Sequence, residues 1–293
     1  MIDQLKYHSR FSAKEFDDQY NLRAGRPDYE VTVIPNWELK SASVRQEIDC
    51  NLNIIYGSGE NQKIDIFYCG EKSAPTLLYF HGGYWQRGNK SIYSFLAKPY
   101  TLSGVNVVIV GYDLCPDVSI TRISEEAREA ILFVWKKGKD FKLNPNRIVV
   151  MGHSAGGHIT QMMMGTKWSN LEIMLPNDLI KAGIPISPLS YLEPVRLTEA
   201  LNAGIRMDEL EAETQSPMTQ HPPVTNAPQL VAVGGLETTE FHRQAQMYVD
   251  AYNSKERTIK FFEVPNVDHF DELNILEDSQ SSFFKETIRL IKL

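Results

Sequence analysis

The segment Ile148-Val149-Val150-Met151-Gly152-His153-Ser154-Ala155-Gly156 constrains this chain more than any other. Four consecutive apolar residues read as a strand covered on both faces. They run straight into a G-x-S-x-G pattern, and the stretch 157–166 beyond it is compatible with a helix. A strand that turns at once into a helix thrusts the middle serine out at the end of a sheet, in a strained backbone conformation. Small residues two positions before and after the serine let the two arms of the turn pass closely. Alone, the five-residue pattern recurs by chance. Flanked by strand and helix, it makes Ser154 a candidate nucleophile.

Along the rest of the chain, short β-rich runs alternate with helical patterns. Candidate strands are 52–56, 64–68, 76–80, 105–110, 147–151, 182–186, 229–233 and 258–264; candidate helices are 92–102, 124–137, 155–166, 240–253 and 279–291. In the second helix Ile123, Ala127, Ala130, Ile131, Val134 and Trp135 recur at helical spacing, while Glu125, Glu126, Arg128 and Glu129 face out. This order predicts an open α/β sheet, mostly parallel with an antiparallel start and helices on both faces. With 293 residues, the chain is expected to form it as a single domain, residues 1–293. Two stretches fall outside the pattern. Residues 1–45, amphipathic at first and then loop-like at Arg26-Pro27-Asp28-Tyr29, are expected to form an N-terminal arm. Residues 194–228 hold an acidic helical run, 198–213, and then Pro217, Pro222, Pro223 and Pro228. They are expected to make a short excursion over the active-site edge of the sheet.

A net charge of −7 leaves no basic footprint for nucleic acid or an anionic membrane. No apolar run approaches the length of a bilayer span, and residues 1–20 are rich in charge with no apolar signal core. Cys50, Cys69 and Cys115 are dispersed and odd in number, as expected of unpaired thiols in a cytoplasmic protein. The partner expected is a small-molecule substrate; a homodimer is left open. His153 and His158 lack the His-Glu-x-x-His spacing of a zinc helix, and Gly57-Ser58-Gly59 has no Lys-Ser/Thr continuation. Neither a metal nor any other cofactor is expected.

A serine hydroxyl needs a base to take its proton. In an α/β-hydrolase the order along the chain is nucleophile, acid, histidine. His269 follows the last candidate strand and precedes the C-terminal helix, where the fold delivers its base. His221, in a proline-rich loop, and His242, in a polar helix, read as surface histidines. The acid should follow strand 229–233, where Glu237 stands in Gly234-Gly235-Leu236-Glu237. Glutamate can orient the imidazole and stabilise its cation as aspartate does. Glu240 is the second choice, being also a natural first-turn helix acid, and Asp268 the third, because it adjoins His269 in the chain. Strand 76–80 ends in His81-Gly82-Gly83-Tyr84-Trp85, so the N–H groups of Gly82 and Gly83, with that of Ala155, are candidates for an oxyanion hole. His81 precedes the elbow and is expected to brace its loop. Tyr84, Trp85 and Phe270 flank these loops and are candidate pocket walls.

Six segments now carry a specific resemblance: His81–Gln86, Gly152–His158, Glu240-Phe241-His242-Arg243-Gln244, Val267-Asp268-His269-Phe270, Tyr56-Gly57-x-Gly59 with Lys63-x-Asp65-Ile66, and Leu192-Glu193-Pro194. Together they resemble arylformamidase, or kynurenine formamidase, in the HGG-bearing esterase/lipase group of α/β-hydrolases, from about Tyr20 to the C-terminus. The resemblance puts the family's nucleophile on Ser154 and its histidine on His269. It departs at the acid, where Glu237 replaces an aspartate, and at Thr238-Thr239, which replace a serine-proline pair. It implies hydrolysis of N-formyl-L-kynurenine to L-kynurenine and formate through a formyl-serine. Two rivals remain at this level: a broad-range carboxylesterase on small acyl esters, and a non-catalytic hydrolase-fold binding protein.

Overall fold

The structure, a computed structural model, describes residues 7–293. Eight strands form one sheet: β1 (Cys50–Ile55), β2 (Lys63–Phe67), β3 (Thr76–Phe80), β4 (Asn106–Val110), β5 (Ile148–His153), β6 (Ile180–Ile186), β7 (Gln229–Gly234) and β8 (Ile259–Val264). Their spatial order is β1-β2-β4-β3-β5-β6-β7-β8. β1 pairs with β2 and β2 with β4 in antiparallel fashion; every later pairing is parallel. This is the α/β-hydrolase sheet expected from the sequence.

The continuously apolar strands are buried on both faces, and side-chain alternation splits them between two cores. Leu78, Phe80, Val108, Val150 and Val233 point to one side, with Ile123, Ala127 and Ile131 of α4 (Ile120–Lys137), Ile159 and Met162 of α5 (Ala155–Met164), and Phe241 and Tyr248 of α6 (Thr239–Tyr252). Leu77, Tyr79, Val107, Met151 and Ala232 point to the other. There they meet Trp37 and Val44 of α2 (Ile34–Glu47), Tyr100 of α3 (Ala97–Leu102), and Phe283 and Phe284 of α7 (Ser282–Ile291). Helix α4 begins on Ser119, whose hydroxyl accepts the N–H of Arg122.

The stretch expected to be an arm folds as helical structure docked on the sheet; its first six residues lie outside the described part. α1 (Ala13–Tyr20) opens with a capping box in which Ser12 and Glu15 satisfy each other's backbone N–H. Tyr20 is fully buried, and its hydroxyl donates to Glu240 Oε2 at 2.7 Å and accepts from Gln244 Nε2 at 2.9 Å. Arg26 reaches Asp268, and Asp271 at 2.9 Å. The stretch 198–213 is two helices rather than one, Glu199–Ile205 and Glu209–Thr214. The break comes at Arg206, whose φ of 61° is left-handed, while the Asn202 side chain takes the N–H of Met207 at 2.9 Å.

Candidate active site

Ser154 closes β5 and opens α5 with φ 58° and ψ −118°, a conformation that costs on the order of 1–3 kcal/mol. The glycines around it are required by contact. A Cβ on Gly156 would lie 1.9 Å from the Phe80 carbonyl oxygen, and one on Gly152 would lie 2.2 Å from that of Gly156. The elbow is pressed against the end of β3, so Ser154 and the HGG loop meet. Gly82 touches the elbow from the other side, where a Cβ would stand 2.9 Å from the His153 carbonyl oxygen. Among the described residues no acceptor takes the N–H of Gly82 or Gly83. Ala155 is the first residue of α5, so its N–H has no partner within the helix. Gly82 and Ala155 therefore adjoin Ser154, and Gly83 lines the same cavity.

His81 braces the loop. Its ring stacks on Tyr112 at 4.3 Å and on Tyr93 at 5.5 Å, its Nδ1 lies 2.8 Å from the Gly82 carbonyl, and Tyr112 donates to the His81 carbonyl at 2.6 Å. Burial pushes its imidazole down to about 4, so it is neutral near pH 7. The next residues, Gly83, Tyr84 and Trp85, all have positive φ. That turn sends the two aromatics in different directions. Tyr84 faces the cavity at the elbow and donates to the Tyr20 carbonyl at 2.7 Å. Trp85 is fully buried away from the cavity, edge-on to His158 at 5.1 Å, which corrects the expectation that it walls the pocket.

His269 Nδ1 lies 2.5 Å from Glu237 Oε2, and both side chains are buried. The N–H of Gly234 donates to Glu237 Oε1 at 2.8 Å, so the turn after β7 holds the carboxylate from behind. Glu240 and Asp268 do not reach His269 Nδ1. Glu240 is held by Arg243, at 2.6 and 2.8 Å, and by Tyr20; Asp268 pairs with Arg26. His221 bonds the Thr214 carbonyl and His242 stands near Glu263, both outside the cavity. No hydrogen bond joins Ser154 Oγ to His269 among the described residues, although both line one cavity; such contacts often tighten only around substrate.

Behind Glu237 sits a second carboxyl that the sequence reading passed over. Glu272 is fully buried, and its Oε1 lies 2.7 Å from Ser187 Oγ and 3.1 Å from His153 Nε2; Oε2 has no partner. Ser187 Oγ also contacts Glu237 Oε1. One hydroxyl has one proton and cannot donate to two carboxylates. The bridge needs a further proton, and Glu272 is the group that carries it. Burial and the neighbouring Glu237 both hold its carboxyl well above the ordinary range, whereas Glu237 is held as an acceptor by His269 and Gly234. Protons thus point from Glu272 through Ser187 toward Glu237. His153, His269 and Glu272 also bring ligand atoms within 4.8 Å of one another. Each of those residues is already committed: His153 Nε2 to the His269 carbonyl at 2.8 Å, His269 to Glu237, and Glu272 to Ser187. The cluster is a hydrogen-bonded network, not a ready donor set for a cation.

The cavity has a volume of about 190 Å³ and opens to solvent. Its floor is Ser154, His269 and the HGG loop. Tyr29, Trp37 and Phe270 make an aromatic wall, with Tyr29 and Phe270 ring centroids 4.3 Å apart. Ala200 and Leu201, from the excursion after β6, also line it, and Gln86 donates to the Leu201 carbonyl at 3.0 Å. Among the described residues no helix is long and apolar enough to cross a membrane.

Comparison with known proteins agrees with this architecture. The BD-FAE family model matches residues 64–180, from β2 through the elbow to β6. A likeness of fold alone extends to esterase B from Lactobacillus rhamnosis, at a TM-score of 0.68 and 14% identity, covering 91% of this chain and 96% of that one. A Silicibacter protein provisionally described as a thioesterase superposes with a TM-score of 0.74 at 29% identity, covering 90% of this chain and 94% of that one. Kynurenine formamidase from Danio rerio is 28% identical over 267 residues, 89% of this chain and 87% of that protein. That from Salmo salar is 31% identical over 249 residues, 83% and 81% of the two. Identity of that degree over four-fifths of both proteins, on the α/β-hydrolase sheet, means that the chain belongs to the kynurenine formamidase family.

Proposed function

We propose that this protein hydrolyses an aryl formamide, N-formyl-L-kynurenine, to the arylamine and formate. The observation that carries the reading is the 2.5 Å bond between His269 Nδ1 and Glu237, inside the cavity onto which Ser154 opens. With its Nδ1–H donating a hydrogen bond to Glu237, His269 presents an unprotonated Nε2 as base. Ser154 Oγ loses its proton to Nε2 and attacks the formyl carbon. The N–H groups of Gly82, Gly83 and Ala155 hold the oxyanion, each such donor contributing on the order of 10²–10³ in rate. His269 then gives the proton to the departing aryl nitrogen, and water, deprotonated by the same histidine, releases formate from the formyl-serine. Glu237 stabilises the imidazolium in both halves.

A formyl group needs little acyl space, and the aromatic wall of Tyr29, Trp37 and Phe270 suits an arylamine. The free state of Cys50, Cys69 and Cys115 fits a cytoplasmic enzyme acting on a small molecule. The test is kcat/KM for N-formyl-L-kynurenine against p-nitrophenyl acetate, with Ser154→Ala as control. A marked preference for the formamide, lost in Ser154→Ala, is expected. A clear preference for the ester would instead make the protein a carboxylesterase, and turnover that survives Ser154→Ala would remove the serine mechanism.

A further inference from the structure

The cavity is apolar and aromatic near Ser154 but charged at its rim. Arg23 and Arg87 both line it, one from the N-terminal segment and one from the turn after the HGG loop. Between them stands Glu30, whose Oε1 is 2.6 Å from Arg23 Nη1 and 3.8 Å from Arg87 Nη1. The Arg23 guanidinium also lies 4.8 Å from the centroid of the Tyr29 ring. A continuous path therefore leads outward from the base: His269 packs on Phe270, Phe270 on Tyr29, Tyr29 under Arg23, and Arg23 against Glu30. Two cations and one anion leave the rim with a net positive charge in a chain whose total is −7. Arg87 and Glu30 remain well exposed, at 63% and 60% of the side chain, so no buried structural pair accounts for them.

We propose that Arg23, Arg87 and Glu30 form a subsite for the amino-acid end of the substrate, with the α-carboxylate on the arginines and the α-ammonium on Glu30, while the aryl ring lies on Tyr29 and Phe270. A guanidinium offers a carboxylate two parallel N–H groups, and its stacking on Tyr29 fixes the plane from which they point. Net positive charge at the rim also raises the local concentration of an anionic ligand. The class of ligand is an aryl amide or aryl ester whose leaving group bears a zwitterionic α-amino-acid head. Neutral formanilides and simple aryl esters would meet the same floor without engaging the rim. The assignment rests on the reading of Ser154 and His269 as the acyl-transfer centre, and it names what selects the leaving group.

Two matched pairs of substrates test it: N-formyl-L-kynurenine with formanilide, and O-acetyl-L-tyrosine with 4-methylphenyl acetate. In each pair only one member carries the amino-acid head. The readout is the ratio of kcat/KM within a pair, measured on one enzyme preparation, so partial unfolding cancels. In Arg23→Met/Arg87→Met the ratio is expected to fall at least tenfold, mainly through KM of the headed substrate, and Arg23→Lys/Arg87→Lys is expected to restore part of it. A ratio within about twofold of the unaltered enzyme would overturn the subsite. The ester pair keeps the two readings apart. If neither formamide is turned over but the ester ratio still collapses in the double variant, the formamidase reading fails and the subsite stands.

Discussion

Glu272→Gln isolates the proton that Ser187 cannot supply. Glu237 Oε1 and Glu272 Oε1 both touch one hydroxyl oxygen, so they are no more than about 5 Å apart. Two full charges at that distance repel by about 3 kcal/mol at an effective dielectric of 20. Burial of Glu272 acts in the same direction, and Asp268 adds to it; the facing groups His153 and Ser187 are neutral. In the folded chain this carboxyl therefore stays protonated at a pH where, in the unfolded chain, it has ionised. The folded state holds the extra proton, so stability must fall as pH rises from the ordinary carboxyl value of about 4.3 toward the raised one. The slope is at most about 1.4 kcal/mol per pH unit. A glutamine cannot titrate, and its amide can donate to Ser187 as the acid does. Urea unfolding between about pH 4 and pH 7 should show little difference between the two proteins at the acid end. The gap should widen toward neutrality in favour of the glutamine, reaching about 3 kcal/mol if the Coulomb repulsion sets the scale. Parallel curves, with the same offset at each pH, would mean that Glu272 gains no proton on folding, and the proton count around Ser187 would be wrong.

Three further outcomes follow from the geometry. Glu237→Gln keeps the carbonyl oxygen for His269 or the Gly234 N–H but removes the charge that stabilises the imidazolium, so kcat should fall by about 10³–10⁴ with KM little changed; steady-state kinetics checks this. Trp85→Ala should cost about 3–5 kcal/mol in chemical denaturation because it empties a packed site, and KM of the remaining folded enzyme should stay within about twofold because the ring does not reach the cavity. Tyr20→Phe leaves the buried Glu240 without its hydroxyl donor and should cost about 1.5–3 kcal/mol. In limited proteolysis, cleavage in that variant should begin within the N-terminal helices.

What was legible in the sequence was whatever a short window determines. The strands announced themselves because a parallel strand covered on both faces must be apolar at every position, as Val107-Val108-Ile109-Val110 is. Ser154 and the HGG glycines could be read because an elbow and a close backbone approach demand small residues at fixed spacing. Glu237 could be placed because the fold puts an acid after β7, and the structure brings that residue, not Glu240 or Asp268, to His269 Nδ1. Glu272 could not be read. In sequence it is an ordinary acid opening a short helix, and only the packing of that helix against Ser187 buries it. Trp85 failed for a different reason: three successive positive φ angles decide which way the aromatics point, and no propensity scale carries that. The wall formed by Arg23, Tyr29 and Trp37 was hidden because it depends on a segment docking on parts of the chain far away in sequence.

That docking has a consequence for biosynthesis. Tyr20 is made near the start of translation, but the groups that receive it, Glu240 and Gln244, lie 220 and 224 residues later. Closing a loop of that length costs on the order of 5 kcal/mol of chain entropy, and contacts so distant in sequence form late. The serine elbow and the HGG loop can meet on the ribosome as soon as β3 to β5 have paired, although His269 is still to come. The outer wall must wait: Trp37 can already pack on Tyr93 and Phe95, but Phe16, Tyr20 and Tyr29 stay undocked until α6 and then Phe270 have emerged. A nascent chain halted before α6 would hold a serine elbow but no selective pocket, and its exposed aromatic stretch is where a chaperone would first find it.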